Sequence, residues 1–422
     1  MSLMKVNVIS NPFVDGTNIP DELFCDRKEE TRDMIELLEN GSKIVLKAPR
    51  RIGKSSLITH VLRQREIMEK YNTVYVDLLG TNSADEFLRE FQKAFTSRKF
   101  TRPGTAREIL RNVPGNVTLG MERNDFTGTT KATVSLHDLL KVQMSLDTIF
   151  EYLEKSDRPC IVVFDEFQQI KYYPEEMTAI LRTYIQRTGR TRFIFSGSSG
   201  RMLSTMFNSY SEPFYHSAET VELDVISEPR YEEFCQKNFS DYGKSIEKEA
   251  VIFAYELAAG NTYEIQRIMR NVFARTGQGK TATADDVRAA VCSILERHDQ
   301  TYREKLAELN NTKERKVLIA IALEGVATRM LSHEMTDRYE LGANSTVAKS
   351  LKNLCDEDKL NLVLKAGNAY KLQDKMFELW IAGQYGLLET KFETARQQFE
   401  KEKRQEKAMP LPKMPKLTHP SN

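Results

Sequence analysis

The sequence predicts an α/β domain with a parallel sheet, followed by an all-α domain and a winged-helix domain. Three observations support this fold class. Short apolar runs alternate with helical patterns over the first half of the chain, and a Gly-Lys-Ser loop directly follows the first run. The second half shows helical patterns only, until a short hairpin pattern near its end. A chain of 422 residues has room for several such domains.

The composition is that of an ordinary globular protein, with 40% hydrophobic and 29% charged residues. A formal net charge of +1 provides no global basic field for nucleic acid, although it permits a local patch. No apolar run approaches the roughly 18 residues of a membrane helix, so we expect a cytoplasmic protein with no membrane partner. The five cysteines lack metal or disulfide spacing, which favours a reducing compartment.

Apolar runs that do not alternate with polar residues predict strands buried on both faces of a sheet. These runs cover residues 43–46, 74–76, 161–164 and 193–195, with a last strand expected at 221–223. Helical patterns at 55–70 and 84–95 connect them, as in α/β proteins. The segment 101–134 is rich in Gly, Pro, Thr and Asn, and we interpret it as an inserted hairpin or mobile loop of unassigned function.

Residues 48–55 read A-P-R-R-I-G-K-S and have the layout of a phosphate-binding loop between a strand and a helix. In such a loop, backbone N–H groups and the helix N-terminus surround the phosphates of ATP. Lys54 reaches the β/γ oxygens and Ser55 ligates Mg²⁺. Because Ala48 stands where the pattern has glycine, the loop needs support from downstream residues. The predicted nucleotide-binding residues are Ala48, Pro49, Arg50, Arg51, Ile52, Gly53, Lys54, Ser55 and Ser56.

Asp165 and Glu166 directly follow the run 161–164 and supply that support. An acid at the carboxyl end of a parallel strand points to the crevice where ligands bind. We therefore predict that Ser55 and Asp165 hold the metal and that Glu166 is the general base for water. The alternative is that both acids only begin an exposed loop, and the Gly-Lys-Ser loop in the same α/β unit makes it the weaker explanation.

Small polar residues end the next strand and suggest a third part of the site. Ser198, favoured over Ser199, is placed to contact the γ-phosphate or to position water, but a plain Gly/Ser turn explains the same residues. One of the nearby arginines is a candidate arginine finger, and Arg201 is favoured because it directly follows the strand. A solvated helix face is the alternative for each arginine. The predicted catalytic residues are Glu166, Lys54, Ser198 and Arg201.

The second half of the chain divides into three predicted parts. Four helical patterns at 228–239, 247–259, 262–276 and 284–298 form a helical lid domain. Three further helices at 313–323, 331–339 and 345–356, followed by strands at 361–365 and 369–373, outline a winged helix. The predicted bounds are 1–30 for an N-terminal segment, 31–225 for the α/β domain, 226–300 for the lid, 308–385 for the winged helix and 386–422 for a charged, partly disordered tail.

The chain resembles the archaeal-type ATPase family, a group of P-loop ATPases allied to the STAND and AAA+ classes. The resemblance spans about residues 10–385 and implies a sheet of order 5-1-4-3-2, with the catalytic Glu one strand removed from the loop strand. Asp26, Ala48 and Thr262 depart from the family's Gly, Gly and Pro. The matching segments are Phe24-Cys25-Asp26-Arg27, Pro49-Arg50-Arg51-Ile52-Gly53-Lys54-Ser55-Ser56-Leu57, Phe164-Asp165-Glu166-Phe167-Gln168 with Ser196-Gly197-Ser198-Ser199, and Tyr370-Lys371-Leu372-Gln373-Asp374 with Phe377 and Trp380.

We expect Mg²⁺-dependent binding and slow hydrolysis of ATP that drives a molecular switch, with an unknown protein partner and a possible homo-oligomer. The alternative is a winged-helix DNA-binding regulator or loader in which ATP is mainly a conformational ligand. Acidic residues 356–358 at the end of the candidate recognition helix oppose contact with DNA phosphates. The residues of that helix expected to face DNA are Ser345, Thr346, Lys349, Lys352 and Asn353.

Overall fold

The computed structural model describes residues 10–16, 19–49, 51–96, 120–123, 130–133, 136–309, 311–356 and 359–397. These residues form two compact units. One unit comprises residues 15–226, and the other combines residues 10–14 with the chain from Ser227 onward. The chain therefore passes from one unit to the other twice, after Val14 and after Ile226.

A five-stranded parallel sheet forms the centre of the unit of residues 15–226. In chain order the elements are α1 (Lys28–Glu39), β1 (Ile44–Lys47), α2 (Lys54–Arg63), α3 (Arg65–Lys70), β2 (Asn72–Asp77), α4 (Ala84–Thr96), β3 (Gly120–Arg123), β4 (Thr130–Thr133), α5 (Leu136–Lys155), β5 (Cys160–Asp165), α6 (Glu175–Arg187), β6 (Arg192–Gly197), α7 (Gly200–Asn208) and β7 (Glu219–Glu222). The sheet order is β2-β5-β6-β1-β7. With its five strands numbered alone, this is the predicted order 5-1-4-3-2, so the prediction is confirmed.

The strands are buried on both faces, which explains why their apolar runs do not alternate with polar residues. Val162 and Phe164 of β5 pack in a cluster with side chains of α4, α5, α6 and α7. Their neighbours Ile161 and Val163 pack in a second cluster with side chains of α1, α2 and α3. Because successive strand residues point to opposite faces, each strand needs apolar side chains at every position. The result is a three-layer α/β/α arrangement.

The helix predicted at 55–70 and the insert at 101–134 both lie in this unit. The single helix predicted at 55–70 is wrong, because Gln64 is extended (ψ 143°) and separates α2 from α3. The Gln64 side chain donates to the backbone oxygen of His60 at 3.0 Å and so satisfies a carbonyl at the end of α2. Within the 101–134 insert, β3 pairs antiparallel with β4, which is the arrangement of a hairpin. The rest of the 101–134 insert lies outside the described residues.

The other unit is mainly helical. In chain order its elements are α8 (Glu228–Asp241), β8 (Ser245–Ile246), α9 (Lys248–Ala258), α10 (Thr262–Arg275), β9 (Thr281–Ala282), α11 (Ala284–Arg297), α12 (Asp299–Ala307), α13 (Thr312–Glu324), β10 (Ala327–Thr328), α14 (His333–Arg338), α15 (Asn344–Cys355), β11 (Val363–Ala366), β12 (Ala369–Leu372) and α16 (Lys375–Gln384). Helices α8 to α11 confirm the four predicted helices. Helices α13 to α15 and the β11–β12 hairpin confirm the winged-helix outline.

The sequence patterns did not predict some short elements of this unit. Strand β10 pairs with β12 and completes a three-stranded sheet, but its two residues are too few to show a pattern. Residues 388–397, which begin the predicted tail, are helical, and Phe392 and Ala395 of this helix are buried. Residues 398–422 lie outside the described part of the chain. In the described residues no helix is long and apolar enough to cross a membrane.

The C-terminal motif predicted from the resemblance has a structural role within this unit. Asp374 caps α16 by accepting from the Phe377 backbone N–H at 3.0 Å. The Trp380 indole N–H donates to Asp299 at 2.9 Å, and the Phe377 ring stacks on Tyr302 at 5.5 Å. These contacts join the end of the winged helix to α12.

The segment before α1 shows why the family has glycine at position 26. Asp26 and Arg27 both adopt positive φ angles, 50° and 65°. Glycine adopts such angles freely, and aspartate is among the side chains that tolerate them best. The turn therefore forms with Asp26, and it directs the buried Arg27 side chain to the backbone oxygens of Asp224 (2.6 Å) and Ile52 (3.4 Å).

We predict that Arg27→Ala lowers the free energy of unfolding of this unit by about 2 kcal/mol, because it removes charge-assisted hydrogen bonds to buried backbone oxygens. Chemical denaturation followed by circular dichroism measures the change. Arg32→Ala is the matched control, since Arg32 lies on α1 with 73% of its side chain exposed. Its expected effect is within about 0.5 kcal/mol. Equal effects of the two substitutions would contradict the role of Arg27.

Candidate active site

The phosphate loop, residues 48–55, leads from β1 into α2. Gly53 lies at the N-cap of α2 with a φ of 95°, a conformation that favours glycine. Lys54 begins the helix, and its Nζ donates to the backbone oxygens of Ala48 (3.2 Å) and Pro49 (3.4 Å). The ammonium group and the amino end of α2 thus lie together at the loop. This arrangement is suited to an anion such as a phosphate group.

Ala48 replaces the usual first glycine without disturbing the loop. Among the described residues, those with positive φ include Arg51 and Gly53 but not Ala48. The position therefore makes no demand on the backbone that only glycine meets. The Ala48 methyl group is buried in the cluster that contains α1 and α2. The described part of the loop therefore accommodates alanine at this position.

The remaining predicted loop residues have different surroundings. Arg51 is exposed, and Ile52 is buried in the core beneath the loop. The Ser56 hydroxyl donates to the backbone oxygen of Gly16 at 3.3 Å, and Arg50 lies outside the described residues. Nucleotide contact by these four residues remains a prediction.

Ser55 and Asp165 meet as predicted for a metal site. The Ser55 hydroxyl donates to Asp165 Oδ2 at 2.8 Å, although 110 residues separate them. Oxygen donors of this kind suit Mg²⁺, which is commonly held by one or two carboxylates with phosphates and water. Within the described residues there is no cluster of three His, Cys, Asp or Glu side chains able to hold a metal alone. The pair fits a metal that arrives with a phosphate ligand.

Two further side chains hold Asp165, and sequence reasoning did not single them out. Tyr75 donates to Oδ2 at 2.5 Å, and Ser196 donates to Oδ1, which also accepts from the Glu166 backbone N–H at 3.1 Å. Burial, and then the charge of Asp165, raises the pKa of Tyr75, so its hydroxyl remains a donor. The pairing of the strands was the signal that could have identified these two residues, because Tyr75 and Ser196 lie on the two strands that flank β5.

Glu166 and Ser198 are brought together. Ser198 donates to Glu166 Oε2 through both its backbone N–H (3.1 Å) and its hydroxyl (2.8 Å). The Gln168 amide donates to the same oxygen. Glu166 has a φ of 55°, an unusual conformation for a residue with a side chain and one found at functional sites. The predicted base is therefore fixed by the end of the neighbouring strand.

A third carboxylate, Asp77, lies at the same edge of the sheet and was missed. It ends β2, directly opposite Asp165 in the strand register. Asp77 Oδ1 accepts from the Leu79 backbone N–H at 2.9 Å. Partial burial, with the negative charges of Asp165 and Glu166 adding to it, raises the pKa of Asp77.

The arginines near β6 in sequence lie at opposite ends of that strand. Arg201 lies in the first turn of α7 with an exposed side chain that hydrogen-bonds to no other described residue. Arg190 and Arg192 lie at the amino end of β6 and donate to backbone oxygens of Ser156 and Leu38. These two are at the edge of the sheet opposite to Glu166. The role of Arg201 as a finger remains a prediction.

Comparison with known proteins finds two family models that match this chain. The family described as an ATPase domain predominantly from Archaea matches residues 24–268, and a probable winged helix domain matches residues 300–383. No curated protein shows significant similarity to the sequence.

Two solved structures show the same fold. A Walker-type ATPase of Pyrococcus abyssi is 21% identical with a TM-score of 0.58, over 86% of this chain and 97% of that chain. The ORC2 protein of Aeropyrum pernix, solved as ADPNP–ADP complexes, is 15% identical with a TM-score of 0.55, over 89% of this chain and 99% of that chain. With the ATPase family matching more than half of the sequence, the chain belongs to the ATPase family found predominantly in Archaea.

Proposed function

We propose that the protein binds ATP with Mg²⁺ and hydrolyses it slowly, and that the nucleotide state switches its interaction with a partner. The observation that carries the proposal is the hydrogen bond from the Ser55 hydroxyl to the Asp165 carboxylate. Lys54 directly precedes Ser55 in the chain, and Glu166 directly follows Asp165. Each group has the chemistry that its place requires. Lys54 supplies positive charge for the β/γ phosphates, and Ser55 with Asp165 supplies oxygen ligands. When bound, Mg²⁺ would neutralise charge on those phosphates.

Glu166 is the proposed base. It accepts a proton from water while the water oxygen bonds to the γ-phosphorus and the bond to the bridging oxygen breaks, which yields ADP and phosphate. Glu166 Oε2 is occupied by donors from Ser198 and Gln168, whereas Oε1 forms no hydrogen bond with a described residue. Oε1 is therefore the oxygen available for the proton.

Asp77 supports the metal requirement of this proposal. Three carboxylates, Asp77, Asp165 and Glu166, lie at one edge of the sheet and repel each other. The pKa of Asp77 is raised by its burial first and then by the charges of the other two carboxylates. A divalent cation on Asp165 would relieve the repulsion. Metal binding is therefore expected to stabilise the unit by more than the ligand contacts alone provide.

We propose that the switch acts through the mainly helical unit, because side-chain contacts connect the helices of this unit to its winged helix. The Trp380 contact to Asp299 joins the winged helix to α12. The helix 388–397 packs Phe392 on Phe253 of α9 and pairs Glu389 with Arg288 of α11. A change at helices α8 to α11 would therefore be carried to the winged helix.

DNA is the second candidate partner, and charge on the winged helix favours it. Lys349 and Lys352 of α15 and Lys371 of β12 are exposed and form no ion pair with another described residue. Some other cations of the domain are paired, as Lys316 is with Glu340 and Arg338 is with Glu324. Asn353 is less suited to DNA than predicted, because its amide donates to Glu314 at 2.7 Å. The unpaired lysines offer a surface for phosphates.

For the ATPase proposal, we predict that Lys54→Ala abolishes tight ATP binding and that Glu166→Gln keeps binding but lowers turnover. Loss of one charged group that stabilises the transition state, or of a general base, costs about 100-fold or more in kcat. A phosphate-release assay and ATP titration measure the two effects. Lys28→Ala and Glu29→Gln, both exposed on α1, are the matched controls. Tight binding by Lys54→Ala, or full turnover by Glu166→Gln, would refute the proposal.

For Asp77, we predict that Asp77→Asn raises the unfolding midpoint at pH 8 without Mg²⁺. The folded-state pKa lies above the ordinary value, so the wild type loses stability as pH rises through that range, whereas asparagine does not titrate. The difference should shrink as pH falls towards the ordinary aspartate pKa, and the wild type should gain more from Mg²⁺ than the variant. Asparagine keeps the acceptor for the Leu79 N–H. A lower midpoint for the variant at pH 8 would be evidence against this interaction.

For DNA, we predict that Lys349→Ala with Lys352→Ala weakens binding of duplex DNA and flattens its salt dependence. Each lost phosphate contact reduces the slope of log affinity against log salt by about 0.9, so the double variant changes it by about 1.8. Fluorescence anisotropy at several salt concentrations gives both slopes. Lys316→Ala is the control because Lys316 is paired with Glu340. A flat wild-type profile would leave the winged helix as a protein-binding domain.

A further inference from the structure

Gln168 is a buried polar residue beside the proposed base. It lies in the 3-10 turn Phe167–Tyr172 directly after β5 and is 5% exposed. Its amide nitrogen donates to Glu166 Oε2 and lies 3.4 Å from the Ser198 hydroxyl. The amide therefore contacts both the proposed base and the serine that holds it.

The carboxamide oxygen of Gln168 has an unusual environment. Gln168 Oε1 is buried and has no hydrogen-bond partner among the described residues. A buried acceptor without a partner destabilises the fold, and an apolar side chain of the same shape would avoid that cost. Packing alone therefore gives no reason for glutamine at this position. The reason must lie with the amide nitrogen and the carboxylate that it contacts.

Gly197 leaves the space that Gln168 occupies. A Cβ atom placed on Gly197 would lie 1.9 Å from Gln168 Oε1 and 3.0 Å from its Cδ. The φ of Gly197 is not in the positive range, so the backbone itself does not require glycine there. The hydrogen atom of Gly197 is needed because the glutamine side chain lies against it.

We propose that Gln168 is a positioning residue for Glu166, and that Gly197 provides the space for it. Together with Ser198, Gln168 fixes Oε2 and leaves Oε1 turned to accept the proton of water. The inference rests on the proposed ATPase function and deepens it. Two other roles of the same contacts predict different results. A brake on Glu166 would release activity when Gln168 is removed, and a purely structural residue would change stability without changing kcat.

The test uses Gln168→Leu and Gly197→Ala in the full chain. Both should lower kcat for ATP about tenfold or more, since small misplacements of a catalytic group have effects of this size or larger. KM for ATP should change less than about twofold, because the phosphate loop is untouched. The unfolding midpoint of Gln168→Leu should not fall, because the unpaired buried oxygen is removed. Gly189→Ala is the control for Gly197→Ala, since a Cβ there meets no atom within 4 Å.

A pH profile and a double variant separate positioning from a structural role. Gln168→Glu keeps the shape but places a second carboxylate beside Glu166, so the acid limb of the kcat profile should move to higher pH. In a Glu166→Gln background, Gln168→Leu should cause no further loss, because its effect passes through Glu166.

The outcomes are distinct. Unchanged or increased kcat in Gln168→Leu, or a full additional loss in the double variant, would overturn the positioning role while the ATPase proposal stands. Absence of turnover in the wild type would overturn both. A fall in kcat with the shifted pH limb and no additive loss would establish the role.

Discussion

The Asp165 carboxylate is the interaction on which the site depends. It is 6% exposed and accepts hydrogen bonds from Ser55, Tyr75, Ser196 and the backbone of Glu166. A buried anion is stable only when its oxygens are satisfied, so these donors are required together. They come from α2, from the two strands beside β5 and from the end of β5 itself. The carboxylate therefore fixes the helix of the phosphate loop to the sheet.

Most of the fold followed from local patterns, because strands buried on both faces and amphipathic helices leave clear signatures in sequence. The loop, the acid pair and the serine of the next strand were also predictable, since each ends an apolar run. The roles of Tyr75, Gln168 and Gly197 were not, although the segments that resemble the family contain Gln168 and Gly197. A tyrosine in a strand is typical of packing, and the role of a glycine or glutamine here depends on which strands are neighbours. Neighbour relations are a property of the three-dimensional fold.

The departures from the family pattern have a common physical explanation, which is that each keeps the backbone geometry. Ala48 occupies a position without positive φ, so its methyl group costs nothing in conformation. Asp26 adopts a positive φ, which aspartate tolerates. Thr262 is the first residue of α10, where proline is favoured but a residue with an N–H is also accommodated. The amino acids of the motif differ at these positions, but the backbone conformation is kept.

The position of Phe13 has a consequence for how the protein responds to cleavage. Its ring is buried among Phe234, Phe239 and Phe273, so residues 10–14 belong to the core of the mainly helical unit. The two units are thus joined by two covalent links at separate points of the chain. A protease that cut the link after Ile226 would not release two fragments, because the N-terminal peptide would still tether them. Removal of the first 14 residues, in contrast, would expose the rings of Phe234, Phe239 and Phe273, which lie in a distant part of the sequence.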